Sequence, residues 1–184
     1  GIIEKSWTDG CKEGDLVLAL PTSSNAMAEY FLGIGPSVVP LPAGIPQEQL
    51  LMAQPLGTVI YCLKRLGHWF NAEVAIVGQG PMGLMFTTMM RNMGASVIIG
   101  IDQHNNRLAA AKQMGATHTV NIADTDPVEA VTEITGGRMA DLVIEVVGEE
   151  DAFNLCIKLA RRQGHFINFG VPRKAQYTAD IYEL

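Results

Sequence analysis

The strongest chemical signal in this chain of 184 residues is the run Val74-Ala75-Ile76-Val77-Gly78-Gln79-Gly80-Pro81-Met82-Gly83. An apolar stretch enters a G-x-G-x-x-G turn, and a helical pattern opens at Pro81 and Met82. A second apolar run ends at Asp102, nineteen positions after Gly83. That order is the fingerprint of a βαβ unit that binds a dinucleotide. Gly78 allows the tight turn off the strand, Gly80 lets the backbone approach a pyrophosphate, and Gly83 lets the helix lie close to the sheet. The helix N-terminus then offers unpaired N–H groups and a positive dipole end to the phosphates. Pro81 suits the first helical turn, which has no use for its missing N–H. Asp102 can accept hydrogen bonds from both hydroxyls of an adenosine ribose and would repel a 2′-phosphate, which favours NAD over NADP.

Those residues must be held by alternating strands and helices, and the sequence supplies them from Glu73 onward. Strands are predicted at 74–77, 97–101, 119–121, 142–146 and 166–169. Helices are predicted over 82–93, 105–114, 127–135 and 150–161. Asp126-Pro127 makes a good N-cap and first helical position. Glu149, Glu150 and Asp151 open the last helix, and Arg161 and Arg162 close it. Continuous apolar strands joined by helices predict an α/β fold, a Rossmann-type doubly wound parallel sheet buried on both faces. Such a sheet usually has six strands; five are visible, and the sixth is expected beyond Leu184. Val147 and Gly148 follow the fourth strand, where the strand order should reverse, and are expected to line the cofactor groove.

Other polar and soft residues have plainer readings. Glu145 reads as a capping or hydrogen-bonded carboxylate rather than a catalytic one. His68, His104, His118 and His165 are scattered, and His104 is expected to face solvent. Met82, Met85, Met89 and Met93 recur at helical spacing and read as packing against the sheet. Upstream, residues 1 to 45 read as β and loop, with turns at Asp9-Gly10 and Glu13-Gly14-Asp15 and a Gly/Pro cluster from Gly33 to Pro46. A short buried strand is expected at 16–20. Residues 47–66 look helical, interrupted at Pro55 and ending near Lys64 and Arg65 before Gly67.

Composition narrows the function classes. Hydrophobic content is 48%, but no apolar run reaches the roughly 18 residues of a membrane span. Net charge is −6 and Lys and Arg form no block, which argues against nucleic acid and anionic membrane as partners. Cys11, Cys62 and Cys156 are far apart, odd in number and lack C-x-x-C spacing, so neither a disulfide framework nor a cysteine zinc site is visible. With no signal-peptide pattern, a reducing cytoplasm is the expected location. The chain opens on Gly1 and reads as a fragment.

Together these segments resemble the medium-chain dehydrogenase/reductase superfamily, in its zinc-type alcohol and sorbitol dehydrogenase branch. Gly14-Asp15-Leu16-Val17 is similar to the family's G-D-x-V strand start, Ala28-Glu29-Tyr30 to its A-E-Y segment, and Val39-Pro40-Leu41-Pro42 to the approach to its interdomain helix. Gln54-Pro55-Leu56-Gly57-Thr58 resembles the E-P-L segment of the sorbitol dehydrogenase branch. Leu108 to Ala116 resembles the R-L-x-x-A-K-x-x-G-A helix and turn, and Asp141 to Gly148 the D-x-V-x-E-x-x-G strand. Gly170-Val171-Pro172 resembles the loop beside the nicotinamide.

The resemblance implies three segments: 1–46 as a remnant of the GroES-like catalytic domain, 47–72 as an interdomain helical segment, and 73–184 as the dinucleotide-binding domain. It implies an NAD-dependent oxidoreductase passing hydride between nicotinamide and an alcohol or polyol, or its carbonyl product. A small-molecule substrate and a homo-oligomer of the full-length protein follow from it. Thr58 is placed against the nicotinamide or is an ordinary helix Thr. Arg107 reaches the ribose or adenine or is a solvated helix charge. Val171 offers backbone groups to the carboxamide beside Gly170. The family's catalytic Cys, Ser or Thr, and G-H-E His lie upstream of the strand that Gly1-Ile2-Ile3 resembles, so no catalytic residue is assigned and the chain alone is expected to be inactive. Leu20-Pro21-Thr22-Ser23-Ser24-Asn25 leads almost directly to Ala28, so the four-cysteine zinc lobe is read as deleted. Gln54 stands at the third zinc-ligand position, where a neutral amide is a poor donor, so zinc is expected to be absent or weakly held. Two alternatives stay open: a zinc-free reductase of the quinone or enoyl type, and a non-catalytic NAD-binding module.

Overall fold

The computed structural model describes residues 1–22 and 26–179. Within the segment read as a missing zinc lobe, residues 23–25 lie outside the described residues, as does the chain end at 180–184. The chain divides into two compact units, Gly1–Thr58 and Val59–Leu184.

The first unit is built on an antiparallel pair, β1 (Val17–Pro21) and β2 (Gly33–Pro40), with Val17 opposite Pro40 and a bulge between Ala19 and Pro21. The pair departs from the sequence reading in two ways. The strand expected at 16–20 is only lightly buried: Val17 is covered, while Leu20 is half exposed. Residues 33–40, expected as turn, form a strand despite Pro36 and Pro40. Proline is tolerated there because a two-stranded sheet leaves one side of each strand without a ladder to complete. Two helices follow, α1 (Gln47–Leu50) and α2 (Ala53–Lys64). The helical break falls at Leu51-Met52, not at Pro55. Pro55 sits in the first turn of α2, where its absent N–H leaves no bond unmade.

The second unit alternates β3 (Glu73–Val77), α3 (Pro81–Asn92), β4 (Val97–Asp102), α4 (Asn105–Met114), β5 (His118–Asn121), α5 (Pro127–Ile134), β6 (Ala140–Glu145), α6 (Glu150–Leu159) and β7 (Ala160–Asn168). The five strands pair in parallel in the order β5-β4-β3-β6-β7, so the order reverses at β3. Side chains alternate across the sheet. Val74, Ile76, Ile98, Leu142 and Ile144 pack with Val59 and Leu63 of α2, Phe86 and Met90 of α3 and Ala111 of α4. Ala75, Val77, Ile99, Ile101 and Val143 pack with Val131 of α5 and Cys156 and Leu159 of α6. Met82, Met85, Met89 and Met93 flank the first cluster, partly buried, while Phe86 and Met90 fill its centre. Asp126 caps α5, accepting from the amides of Val128 (2.8 Å) and Glu129 (3.1 Å).

The last helix is shorter than its charges suggest. It ends at Leu159, and Arg161 and Arg162 belong to β7 rather than to a helix C-terminus. Arg161 Nε donates to Asp141 Oδ1 at 2.6 Å, which ties the start of β7 to the start of β6. The register then slips: Ala160 faces Ala140, but His165 faces Leu142. The surplus residues of β7 turn at Gln163, whose φ of 60° places a non-glycine in the left-handed region. Among the described residues, no helix is long and apolar enough to cross a membrane.

Candidate functional site

The carboxyl ends of β3, β4, β6 and β7 bring most of the residues singled out in the sequence to one edge of the sheet. Gly78 leaves β3 at φ 97°, and a Cβ there would meet Val147 Cγ2 at 2.8 Å and Val146 Cγ2 at 3.2 Å. A Cβ on Gly83 would fall on the Gly78 carbonyl oxygen, so the first turn of α3 lies directly against the strand it leaves. Gly80 differs. Among the described residues beyond its chain neighbours, nothing stands within 4 Å of where its Cβ would be. Gly80, which has no side chain with which to cap it, is also the N-cap of α3, and Pro81 follows at the first helical position. First-turn amides without intrahelical partners, a positive helix end and open space over Gly80 together make a cradle for an anion.

Asp102 closes β4 with its side chain 4% exposed. Its Oδ2 accepts from the Gln79 amide at 2.8 Å, and its Oδ1 from the His104 amide at 2.9 Å. Arg107, half exposed, brings NH1 to 3.4 Å from Oδ2. A carboxylate oxygen accepts two bonds, so Oδ1 keeps one acceptor direction for a further hydroxyl. His104, at the N-cap of α4, is exposed as expected.

Sequence reasoning passed over Gln79. Its side chain is fully buried: Nε2 donates to the Ile76 carbonyl (3.1 Å), and Oε1 accepts from Thr87 Oγ1 (2.9 Å). The middle residue of the glycine turn therefore pins the end of β3 to α3. The available clue was Gly100, a glycine inside the apolar run of β4. A Cβ there would stand 3.1 Å from Gln79 Cδ and 3.3 Å from Ala111 Cβ. A glycine within a strand marks a place where another group comes close.

On the other side of the order reversal, Glu145 ends β6 with 1% of its surface exposed. Its Oε1 accepts from the amides of Val147 (2.6 Å) and Gly148 (2.7 Å), the hydrogen-bonded role its pattern suggests. Burial, with the Glu145 charge added, pushes the Cys156 thiol well above the usual range, which makes that thiol a core residue rather than a nucleophile. The carbonyl of Gly148 accepts from the Tyr177 hydroxyl at 2.6 Å, and Arg173 pairs with Glu149 at 3.0 Å. Val147 and Val171 are left with 42% and 84% of their surface exposed, and the turn at Gly170 packs against Gly148 and Glu145.

The sequence pattern described as zinc-binding dehydrogenase matches residues 81–183, more than half of the chain. The chain belongs to the zinc-binding dehydrogenase family. Among similar proteins, an L-threonine 3-dehydrogenase of Bacillus licheniformis is 33% identical over 162 residues, covering 88% of this chain and 46% of its own length. A sorbitol dehydrogenase of Bacillus subtilis is 30% identical over 180 residues, covering 94% of this chain and 51% of its own. The solved structure of an alcohol dehydrogenase from Thermus sp. ATN1 superposes with a TM-score of 0.71 at 30% identity, covering 77% of this chain and 41% of that one. The chain thus spans about half the length of the curated relatives it matches.

For a zinc-binding dehydrogenase, two positions remain to be placed. Gln54 and Thr58 lie one turn apart on α2, within the first unit. Thr58 Oγ1 donates to the Gln54 carbonyl at 3.1 Å and accepts from Gln54 Nε2 at 3.2 Å, so the two side chains occupy each other. Among the described residues, no three His, Cys, Asp or Glu side chains come together as a metal ion would require.

Proposed function

We propose that the chain binds NAD and takes part in hydride transfer between its nicotinamide and an alcohol or polyol, or the corresponding carbonyl compound. One observation carries the reading: the uncapped N-terminus of α3 with open space over Gly80, set between Asp102 on β4 and the Val147-Gly148 turn after β6. A dinucleotide binds across the crevice at the order reversal of such a sheet. Gly78, Gly80, Pro81, Met82 and Gly83 hold its pyrophosphate. Asp102 takes the adenosine ribose, with Arg107 at its edge. Val147, Gly148, Gly170 and Val171 flank the nicotinamide. The bound nicotinamide supplies the hydride chemistry, and these residues bind and orient it.

The similarity to threonine, sorbitol and alcohol dehydrogenases supports the substrate class. The remainder of the reading is a catalytic-domain remnant over 1–46, a helical link over 47–72 and a dinucleotide-binding domain over 73–184. A homo-oligomer in the cytoplasm, acting on a small molecule, completes it. Calorimetric titration with NAD and with NADP tests the cofactor assignment. NAD is expected to bind at least tenfold tighter, roughly 1.4 kcal/mol, because a 2′-phosphate would meet the Asp102 carboxylate. Equal affinity, or a preference for NADP, would show that Arg107 overrides Asp102 and would overturn the assignment.

A further inference from the structure

Glu145 does more than cap one turn. Its Oε1 takes the amides of Val147 and Gly148, and its main-chain carbonyl takes those of Phe169 (2.9 Å) and Gly170 (3.0 Å). The turns that follow β6 and β7 therefore close on a single residue. Its second carboxylate oxygen, Oε2, is buried with no hydrogen-bond partner among the described residues, and a Cβ on Gly170 would fall on it. A buried carboxylate with an idle oxygen is an expensive way to hold two amides, which a neutral acceptor would serve as well. The two turns it fixes are those bearing Val147, Gly148, Gly170 and Val171, whereas Asp102, on β4, lies across β3 from it.

We infer that Glu145 is a positioning residue for the nicotinamide half of the dinucleotide, setting the spacing of the Val147-Gly148 and Gly170-Val171 turns without touching the adenosine half. The inference rests on the NAD reading above. The division follows from the strand order. Asp102 fixes the adenosine on the β4 side of the reversal and the glycine turn fixes the pyrophosphate, so the second nucleoside falls on the β6 and β7 side. Shifting the turns after β6 and β7 then acts first on the nicotinamide ring.

The test compares NAD with ADP-ribose, which lacks only the nicotinamide, by calorimetry on the unaltered chain and on Glu145→Ala and Glu145→Gln. The unaltered chain is expected to bind NAD more tightly than ADP-ribose. Glu145→Ala should lose at least tenfold in NAD affinity while ADP-ribose stays within about twofold. Glu145→Gln keeps an oxygen facing the Val147 and Gly148 amides and should restore most of the difference. Should the alanine variant fail to fold, Glu145→Asp, whose shorter side chain withdraws the carboxylate from the Val147 and Gly148 amides, reads the same split. A parallel loss for both ligands, an unchanged NAD affinity, no rescue by glutamine, or equal binding of the two ligands by the unaltered chain would each overturn the inference. Failure of the unaltered chain to bind either ligand would instead bring down the NAD reading, and the inference with it.

Discussion

Gly80 and Gly83 share one turn, yet a methyl group added to each meets opposite surroundings. At Gly83 it collides with the carbonyl of Gly78 and approaches Val146 Cγ2 at 3.3 Å, both fixed by the sheet. At Gly80 it meets nothing. Gly83→Ala is expected to destabilise the fold by about 2 kcal/mol or more, as overpacking against backbone does. Gly80→Ala should change stability by less than about 1 kcal/mol yet weaken dinucleotide binding at least tenfold. Thermal melts paired with NAD titration separate the two. If Gly80→Ala binds like the parent, the open space over Gly80 is not where the pyrophosphate lies.

At the level of elements, β3 and α3 are joined through the buried Gln79–Thr87 pair as well as by apolar packing. Gln79→Leu alone strands the Thr87 hydroxyl in the core, and Thr87→Val alone strands the Gln79 amide oxygen. Each is expected to cost about 1–3 kcal/mol. Combining them should recover part of the loss, with a coupling energy of about 1 kcal/mol in urea denaturation. Strictly additive losses would mean the bond contributes nothing. The parallel strands could be read from sequence because each is an unbroken apolar run between turn residues, and α5 because Asp126-Pro127 marks its start. What escaped depends on partners distant along the chain. Residues 33–40 look like turn until β1 pairs with them. Arg161 looks like a helix terminus until Asp141 draws it onto β7. Within the site, Gly78, Gly83 and Asp102 declared themselves by spacing, whereas the clamp at Glu145 needs β7 beside β6 to exist at all.

Over the whole second unit, the candidate chemistry and a principal electrostatic fastening occupy opposite edges of the sheet. At the amino edge Asp141 accepts from the Glu73 amide at 2.8 Å, from Arg161 Nε and from Arg138 at 3.4 Å, fastening β3, β6 and β7 together. Burial pushes the Asp141 carboxyl up, but the Glu73 amide and the two guanidinium groups outweigh it and hold it below its ordinary value of 3.8. A carboxyl lowered by folding stabilises the fold fully above its unfolded pKa, and that contribution is lost as pH falls through the lower folded value. Asp141→Asn is therefore expected to cost about 1–3 kcal/mol at pH 7, with the gap to the parent narrowing only below pH 3.8 and NAD affinity unchanged at neutral pH. A gap that persists undiminished in strong acid would show that the carboxylate charge is not what fastens this edge.

The double engagement of Asp102 constrains how this sheet can change its ligand. The same carboxylate that faces the ribose position holds the amides of Gln79 and His104. A lineage drifting toward a phosphorylated dinucleotide cannot simply discard the acid, because the buried Gln79 amide and the partly buried His104 amide would lose their acceptor in the same step. Glycine at position 102 becomes tolerable only after some other acceptor has reached those amides. The order of substitutions open to descendants is set by the folding of one turn before selection for a cofactor begins.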